Sequence, residues 1–350
     1  MKRKVLVILT LLVVSIALSW SISSCRRNPA LKNLHLASIE RPDNFPTPYY
    51  NFDAENPLTE EGIALGRKLF YDPILAGDDE HSCASCHEQR SSFGTFQHDR
   101  SHGFNETHTL RNAPVLLNLA WSPYLHWDGE FNSLESVSLQ PITGDHEMGG
   151  NFITIINRLE RDHYYNKAFR EVFRTPFIRR EFITRALAQF IGTLVSYNSK
   201  YDQYKKGTTS FTPEELNGYN VFKAKCNSCH TEPLFTNYSF KNIGLAVDPA
   251  LNDYGRMRIT GNKEDSLKFK VPTLRNVQTS SNYMHDGRFI TLYQCINHYR
   301  TGVIASSTLD PFLQNGITIS NADAQDLVSF LKTLTDSSFL VNPRYKDPNN

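Results

Sequence analysis

The sequence has almost no net charge: 37 Lys and Arg against 36 Asp and Glu leave a formal +1. That balance gives no argument for a nucleic-acid partner, which would call for a clustered basic surface. Long apolar runs are scarce. The run from Val5 to Trp20 is too short to span a membrane comfortably as a helix. Strand-type alternation is sparse, which argues against a β-rich fold. Cysteine is rare as well, with six copies in 350 residues. That is too few for a disulfide scaffold, so each cysteine calls for its own explanation.

Four of the six lie in two pentapeptides, Cys83-Ala84-Ser85-Cys86-His87 and Cys226-Asn227-Ser228-Cys229-His230. C-x-x-C-H is the attachment motif of a c-type haem. Two thiols add across the two vinyl groups of one porphyrin, so they must lie a short turn apart. The next residue, His87 or His230, then offers a neutral imidazole nitrogen to the iron from below. A Cys₄ zinc site is the competing reading. The two pairs are about 140 residues apart, far beyond usual zinc-ribbon spacing. A His also follows each pair directly, and two c-haems are the better account.

The remaining cysteines are Cys25 and Cys295. Met1-Lys2-Arg3-Lys4 is a basic n-region ahead of the apolar run, which ends in Ile22-Ser23-Ser24-Cys25. This pattern reads as a lipoprotein signal peptide over 1–24, with Cys25 lipidated. An ordinary signal peptide with an incidental Cys is the bland alternative. Residues 25–52, rich in Pro and Asn toward their start, read as a tether from the membrane. Cys295 lies in an apolar helical stretch and reads as a small buried hydrophobe.

The chain also repeats itself. Thr59 caps a helix with acids in its first turn, and Pro73 stops it, ahead of the first haem motif. Thr212, Pro213 and Glu215 form a capping box ahead of the second, with Leu216, Tyr219 and Phe222 as the apolar face. After the motifs, Arg111-Asn112 matches Arg275-Asn276, and Trp127-Asp128-Gly129 matches His285-Asp286-Gly287. Phe131 matches Phe289 and Leu134 matches Leu292. Each half closes with a long helix, one through Ile183, Leu187, Phe190, Leu194 and Tyr197, the other starting at Ser320. The expected fold is mainly α, with long loops and little β. It comprises two cytochrome c-like haem domains related by internal duplication, 53–207 and 208–350.

The repeat separates the two irons. Seven residues after Leu134 comes Pro141; seven after Leu292 comes Tyr299. Proline cannot ligate iron and a phenolate can, so the first haem is expected open and the second closed. Met284, His285 and His298 compete with Tyr299, and a plain buried aromatic is the bland reading of Tyr299. An open iron that splits peroxide needs an acid–base group above it. Glu147, six residues past Pro141, fits that duty; a surface Glu beside a Gly-rich turn is the alternative. His102 and His108 lie in the loop before Arg111 and are candidates for a switchable sixth ligand of the first iron.

With these residues in place, the chain resembles the bacterial dihaem cytochrome c peroxidases and the wider group that includes MauG. The resemblance runs from about residue 57 to 335. It rests on Leu65-Gly66-Arg67-Lys68-Leu69-Phe70, Ser82 to His87, Arg111-Asn112-Ala113-Pro114, Trp127-Asp128-Gly129, Glu147-Met148, Val271-Pro272-Thr273-Leu274-Arg275-Asn276 and Tyr283-Met284-His285-Asp286-Gly287. It implies a peroxidatic haem in the N-terminal domain and an electron-transfer haem in the C-terminal one. It implies Trp127 as an electron relay and Glu147 as the distal acid–base residue. It further implies one calcium ion between the domains, held by Asn112 and by main-chain carbonyls near Ser280 and Asn282. Two departures stand out. Tyr299 stands where peroxidases of the group carry Met and MauG-like members carry Tyr. His102 is displaced by two residues from the switchable His of other members, so reductive activation is in question. Expected partners are hydrogen peroxide and a small c-type cytochrome or cupredoxin donor. The alternative is MauG-like oxidation of a protein or organic substrate. The expected location is the periplasmic side of the envelope, lipid-anchored, with the outer membrane favoured. Relatives are often dimers, so a homodimer is an expectation as well.

Overall fold

The computed structural model describes residues 34–53 and 55–349. The signal peptide over 1–24 and Cys25 lie outside the described residues. Among the described residues thirteen α-helices follow in chain order: α1 (Glu60–Tyr71), α2 (Cys83–Cys86), α3 (Leu134–Val137), α4 (Leu139–Thr143), α5 (Phe152–Arg161), α6 (His163–Phe173), α7 (Arg180–Gly192), α8 (Lys200–Lys205), α9 (Pro213–Lys225), α10 (Met257–Thr260), α11 (Leu292–Asn297), α12 (Asn321–Lys332) and α13 (Ser337–Leu340). One short antiparallel pair, β1 (Phe240–Lys241) with β2 (Phe269–Lys270), is the only sheet among the described residues. The rest is loop and single turns. No described helix is long and apolar enough to cross a membrane.

Local signals explain the helix ends. Thr59 accepts from the Gly62 amide at the start of α1, and Thr212 with Glu215 forms a reciprocal capping box on α9. Ser320 and Asp323 do the same for α12. α1 stops at Tyr71, two residues before Pro73.

In each half the helix before the haem motif packs on the long closing helix, α1 on α7 and α9 on α12. Both crossings turn on a glycine. A Cβ on Gly66 would lie 1.9 Å from the Ala186 carbonyl oxygen, and a Cβ on Gly218 would lie 1.9 Å from that of Asp326. Only a residue without a side chain lets the helices approach so closely. Leu65, Leu69, Phe70, Leu187 and Phe190 fill the first core; Tyr219, Phe222, Phe235, Leu327 and Phe330 fill the second.

Three sequence expectations are corrected here. Leu216 is 42% exposed and does not belong to the inner face of α9, which buries Gly218, Tyr219 and Phe222 instead. The helix through Ile183 ends at Gly192, so Leu194 and Tyr197 follow it in a loop. The segment 34–53 is not a free tether. Phe45 is buried against Trp121, ring centroids 5.2 Å apart, and the Trp121 indole donates to the Pro46 carbonyl at 2.8 Å. The part of the expected tether before residue 34 lies outside the described residues. The far end of the chain also crosses over. Phe339 and Tyr345 join the first core beside Phe93, and the Tyr345 hydroxyl donates to the Thr193 carbonyl at 3.0 Å.

Candidate functional site

One cavity of about 970 Å³ lies between the halves, and both C-x-x-C-H motifs line it. Cys83, Cys86 and His87 stand at one end; Cys226, Cys229 and His230 at the other. Its walls are mainly aliphatic and aromatic, among them Phe70, Leu117, Leu125, Phe222, Leu292 and Leu331. Burial pushes the Cys83 and Cys226 thiols up to about 12, so both are held as neutral thiols beside the cavity.

The two histidines are set up alike. His87 Nδ1 meets the Phe93 carbonyl at 2.7 Å. His230 Nδ1 meets the carbonyls of Phe235 at 3.2 Å and Pro272 at 3.1 Å. A carbonyl only accepts, so Nδ1 carries the proton in each ring and Nε2 keeps a free lone pair. Burial holds His87 below the usual imidazole range and pushes His230 down to about 4. Both are therefore neutral, the form that ligates iron, with the second nitrogen anchored as ligating histidines require. Thiol spacing, imidazole tautomer and apolar walls fit two covalently held haems.

The first end carries Pro141, Gln140 and Glu147. Pro141 sits in α4, and the Met148 amide donates to its carbonyl at 3.1 Å, which folds the Glu147 loop back over the helix. Burial raises the affinity of Glu147 for a proton; Gln140 Nε2, donating to Glu147 Oε1 at 3.0 Å, works against that. Gln140 escaped the sequence reading. Its position beside Pro141 was visible; its reach to Glu147 was not.

At the second end, Tyr299 lies in a widened π-type turn, His298–Gly302, that continues α11. Such turns recur at functional sites because they reset which side chains face inward. Tyr299 lines the cavity, burial raises its phenol well above the ordinary value, and its hydroxyl has no hydrogen-bond partner among the described residues. Of its competitors, His298 turns away and donates Nε2 to the Ile243 carbonyl at 2.9 Å. His285 stacks on Phe269 at 3.8 Å. Met284 lines the cavity with a left-handed backbone, φ 72°. Cys295 lines it too, half-buried rather than lost in the core.

Trp127 lies along the wall between the motifs, its indole donating to the Asn112 carbonyl at 2.8 Å. Asn112 ties the halves together: its amide donates to the His285 carbonyl and its Nδ2 to the Asp99 carbonyl, each at 2.8 Å. Ser280 and Asn282 line the same cavity. Arg111 spans the halves as well, bonding Asp128 at 2.6 Å and gripping Asp253 with Nε and Nη2 at 2.6 and 2.9 Å. Asp253 is a partner that no local pattern announced.

His102 is not brought into the cavity. It is exposed and lines a separate hollow of about 400 Å³ with His81, Gly103, Glu106 and His108. Its ring lies 4.7 Å from that of His98 and 4.5 Å from that of His108, and only its carbonyl approaches Cys86. It is not among the residues that line the large cavity, where a switchable ligand would have to enter.

A mainly helical chain with two c-haem motifs on one shared cavity defines a dihaem c-type cytochrome. Comparison with known proteins narrows the class. A family model for di-haem cytochrome c peroxidase matches residues 60–210. The methylamine utilization protein MauG of Methylophilus methylotrophus is 34% identical over 349 residues, 97% of each chain. The cytochrome c551 peroxidase of Nitrosomonas europaea is 32% identical over 295 residues, 82% of this chain and 84% of its own. A crystal structure of a MauG-like protein associated with microbial copper homeostasis superposes with TM-score 0.81 at 31% identity, covering 90% of this chain and all of that one. The chain belongs to the di-haem cytochrome c peroxidase and MauG family.

Proposed function

We propose that the protein reduces hydrogen peroxide to water at the end of the cavity built from His87, Pro141 and Glu147. A small c-type cytochrome or cupredoxin supplies the electrons, which enter at the end built from His230 and Tyr299. Bound haem supplies the redox-active iron that receives peroxide and delivers electrons to its O–O bond. His87 holds the proximal side. Pro141 brings no ligand to the other side, which leaves room for substrate. Glu147 takes the proton from the nearer oxygen and returns it to the departing one. Its burial suits this, because a desolvated carboxyl binds and releases a proton closer to neutrality. Gln140 orients it. Trp127 provides an aromatic step between the two ends, and Tyr299 closes the second. Asn112, with the carbonyls near Ser280 and Asn282, would hold a calcium ion where the halves meet. The domain division at 207/208, anchoring through Cys25 on the periplasmic side of the outer membrane, and a homodimer belong to the same reading.

The observation that carries the reading is the asymmetry of one cavity: a side chain that cannot ligate at one end, and an unpartnered phenol at the other. A second reading is MauG-like oxidation of a partner protein or organic molecule. Tyr299 favours it, as does the 34% identity to a MauG. It predicts rapid reaction with peroxide but poor turnover with reduced donor proteins. A plain electron carrier fits worse, because Pro141 offers no ligand.

Electron paramagnetic resonance of the oxidised holoprotein, before and after peroxide, tests the proposal. One high-spin and one low-spin ferric centre are expected, with the signal changing on peroxide. Two low-spin centres indifferent to peroxide would overturn it. Tyr299→Phe should convert the low-spin centre; an unchanged spectrum would point to Met284.

A further inference from the structure

Among the described residues, Lys270 is a cation on the cavity wall that no side chain compensates. Other basic groups on this wall have partners or solvent. Arg111 holds Asp128 and Asp253, Lys241 pairs with Asp310 at 2.7 Å, and Arg275 holds Asp202. Arg300 bonds Asn297 and Asn321, Arg258 is exposed, and Lys225, half-buried like Lys270, stands in the last turn of α9, where the helix C-terminus compensates its charge. The Lys270 side chain is half-buried and borders the cavity. Its ammonium has no hydrogen bond or ion pair among the described residues. Burial alone pushes it down to about 8, with no carboxylate to oppose the shift. An ammonium that faces a mainly apolar cavity is stabilised when a counter-charge meets it there.

Its setting tells where that counter-charge arrives. Lys270 ends β2, and its amide donates to the Trp127 carbonyl at 2.7 Å. Two residues on, the Pro272 carbonyl accepts from His230. On the other side, His126 feels the charges of both Lys270 and His87. Lys270 is therefore tied through the backbone to Trp127 and stands two residues from the carbonyl that anchors His230. Among the described residues no carboxylate pairs with it, and Asp128 and Asp253 are already taken by Arg111. The anion must come with the occupant, and the anionic groups of a haem are its propionates.

We propose that Lys270 is a positioning residue that pairs with a haem propionate at the junction of the two halves, fixing that edge of the porphyrin beside Trp127 and favouring the reduced iron electrostatically. The inference rests on the dihaem reading but not on peroxide as substrate. A fixed positive charge stabilises the state that has gained an electron. Removing it should lower that haem's midpoint potential.

The test is spectroelectrochemical titration of haem-loaded K270M, K270Q and K270R beside the parent, after counting covalent haems by pyridine haemochrome. K270M and K270Q are expected to shift one haem's reduction equilibrium about tenfold toward the oxidised form, ~59 mV for one electron. K270R, which keeps the charge, should stay close to the parent. Unchanged potentials in both neutral variants would overturn the pairing. So would a fall in K270R as large as in K270M, since a lost shape rather than a lost charge would then be the cause. Fewer than two haems in the parent would sink the dihaem reading instead.

Discussion

The two ends of the cavity share their floor and differ in their roof. Both have a thiol pair, and both have an imidazole whose Nδ1 is anchored by main-chain carbonyls. Above them the first half presents Pro141, Gln140 and Glu147, and the second presents Tyr299. The Arg-Asn pairs diverge in the same way. Arg275 and Asn276 are absorbed into packing: Arg275 is 1% exposed and clasps Asp202 with two nitrogens, and Asn276 receives the Asp336 amide at 2.6 Å. Arg111 and Asn112 reach across to Asp253 and His285. The two Arg-Asn pairs thus serve cohesion in the second half and junction in the first. The lesson is that the same residue pair can do different work in different surroundings, and the residues that differ carry the functional argument.

Breaking the first end alone should have the largest effect. Glu147→Gln keeps shape and haem attachment but removes the proton acceptor, so peroxide turnover is expected to fall by about 10²–10⁴-fold. Steady-state assays on protein with two haems check this, and normal turnover would remove Glu147 from the mechanism. Breaking the second half's ion pair should cost stability instead. Arg275→Met leaves the buried Asp202 carboxylate unpaired, and a loss of about 3–5 kcal/mol in denaturant unfolding is expected. A loss under ~1 kcal/mol would show that water reaches Asp202. The smallest effect should fall equally on both halves. Gly66→Ala and Gly218→Ala each push a methyl against a carbonyl oxygen, at a cost of about 1–3 kcal/mol apiece. A strongly unequal pair of values would mean that the two helix crossings are not alike.

Much of this was written locally. The caps at Thr59, Thr212 and Ser320 are decided by residues within one turn, and so are the haem pentapeptides, so they read directly from the sequence. Pro141 and Tyr299 were singled out by their spacing from Leu134 and Leu292, and both line the cavity. What escaped is long-range. Arg111 meets Asp253 across 142 positions, Arg275 meets Asp202 across 73, and Phe45 finds Trp121 far along the chain. No periodicity encodes such meetings. Gln140 and Lys270 escaped for a subtler reason: each is ordinary by type and matters only for what it faces or lacks. His102 lines a separate hollow, because proximity in sequence to the first haem motif says nothing of which way a ring turns. The segment 34–53 looked like linker by composition, yet a single aromatic, Phe45, is enough to pin it.

The return of Phe339 and Tyr345 to the first core has a consequence for biogenesis. The ribosome delivers these two rings after every residue they lean on beside Phe93. The first core is therefore complete only once residues from beyond the second half have folded back onto it, so removing Phe339 and Tyr345 would open a wall near His87, whose Nδ1 the Phe93 carbonyl anchors.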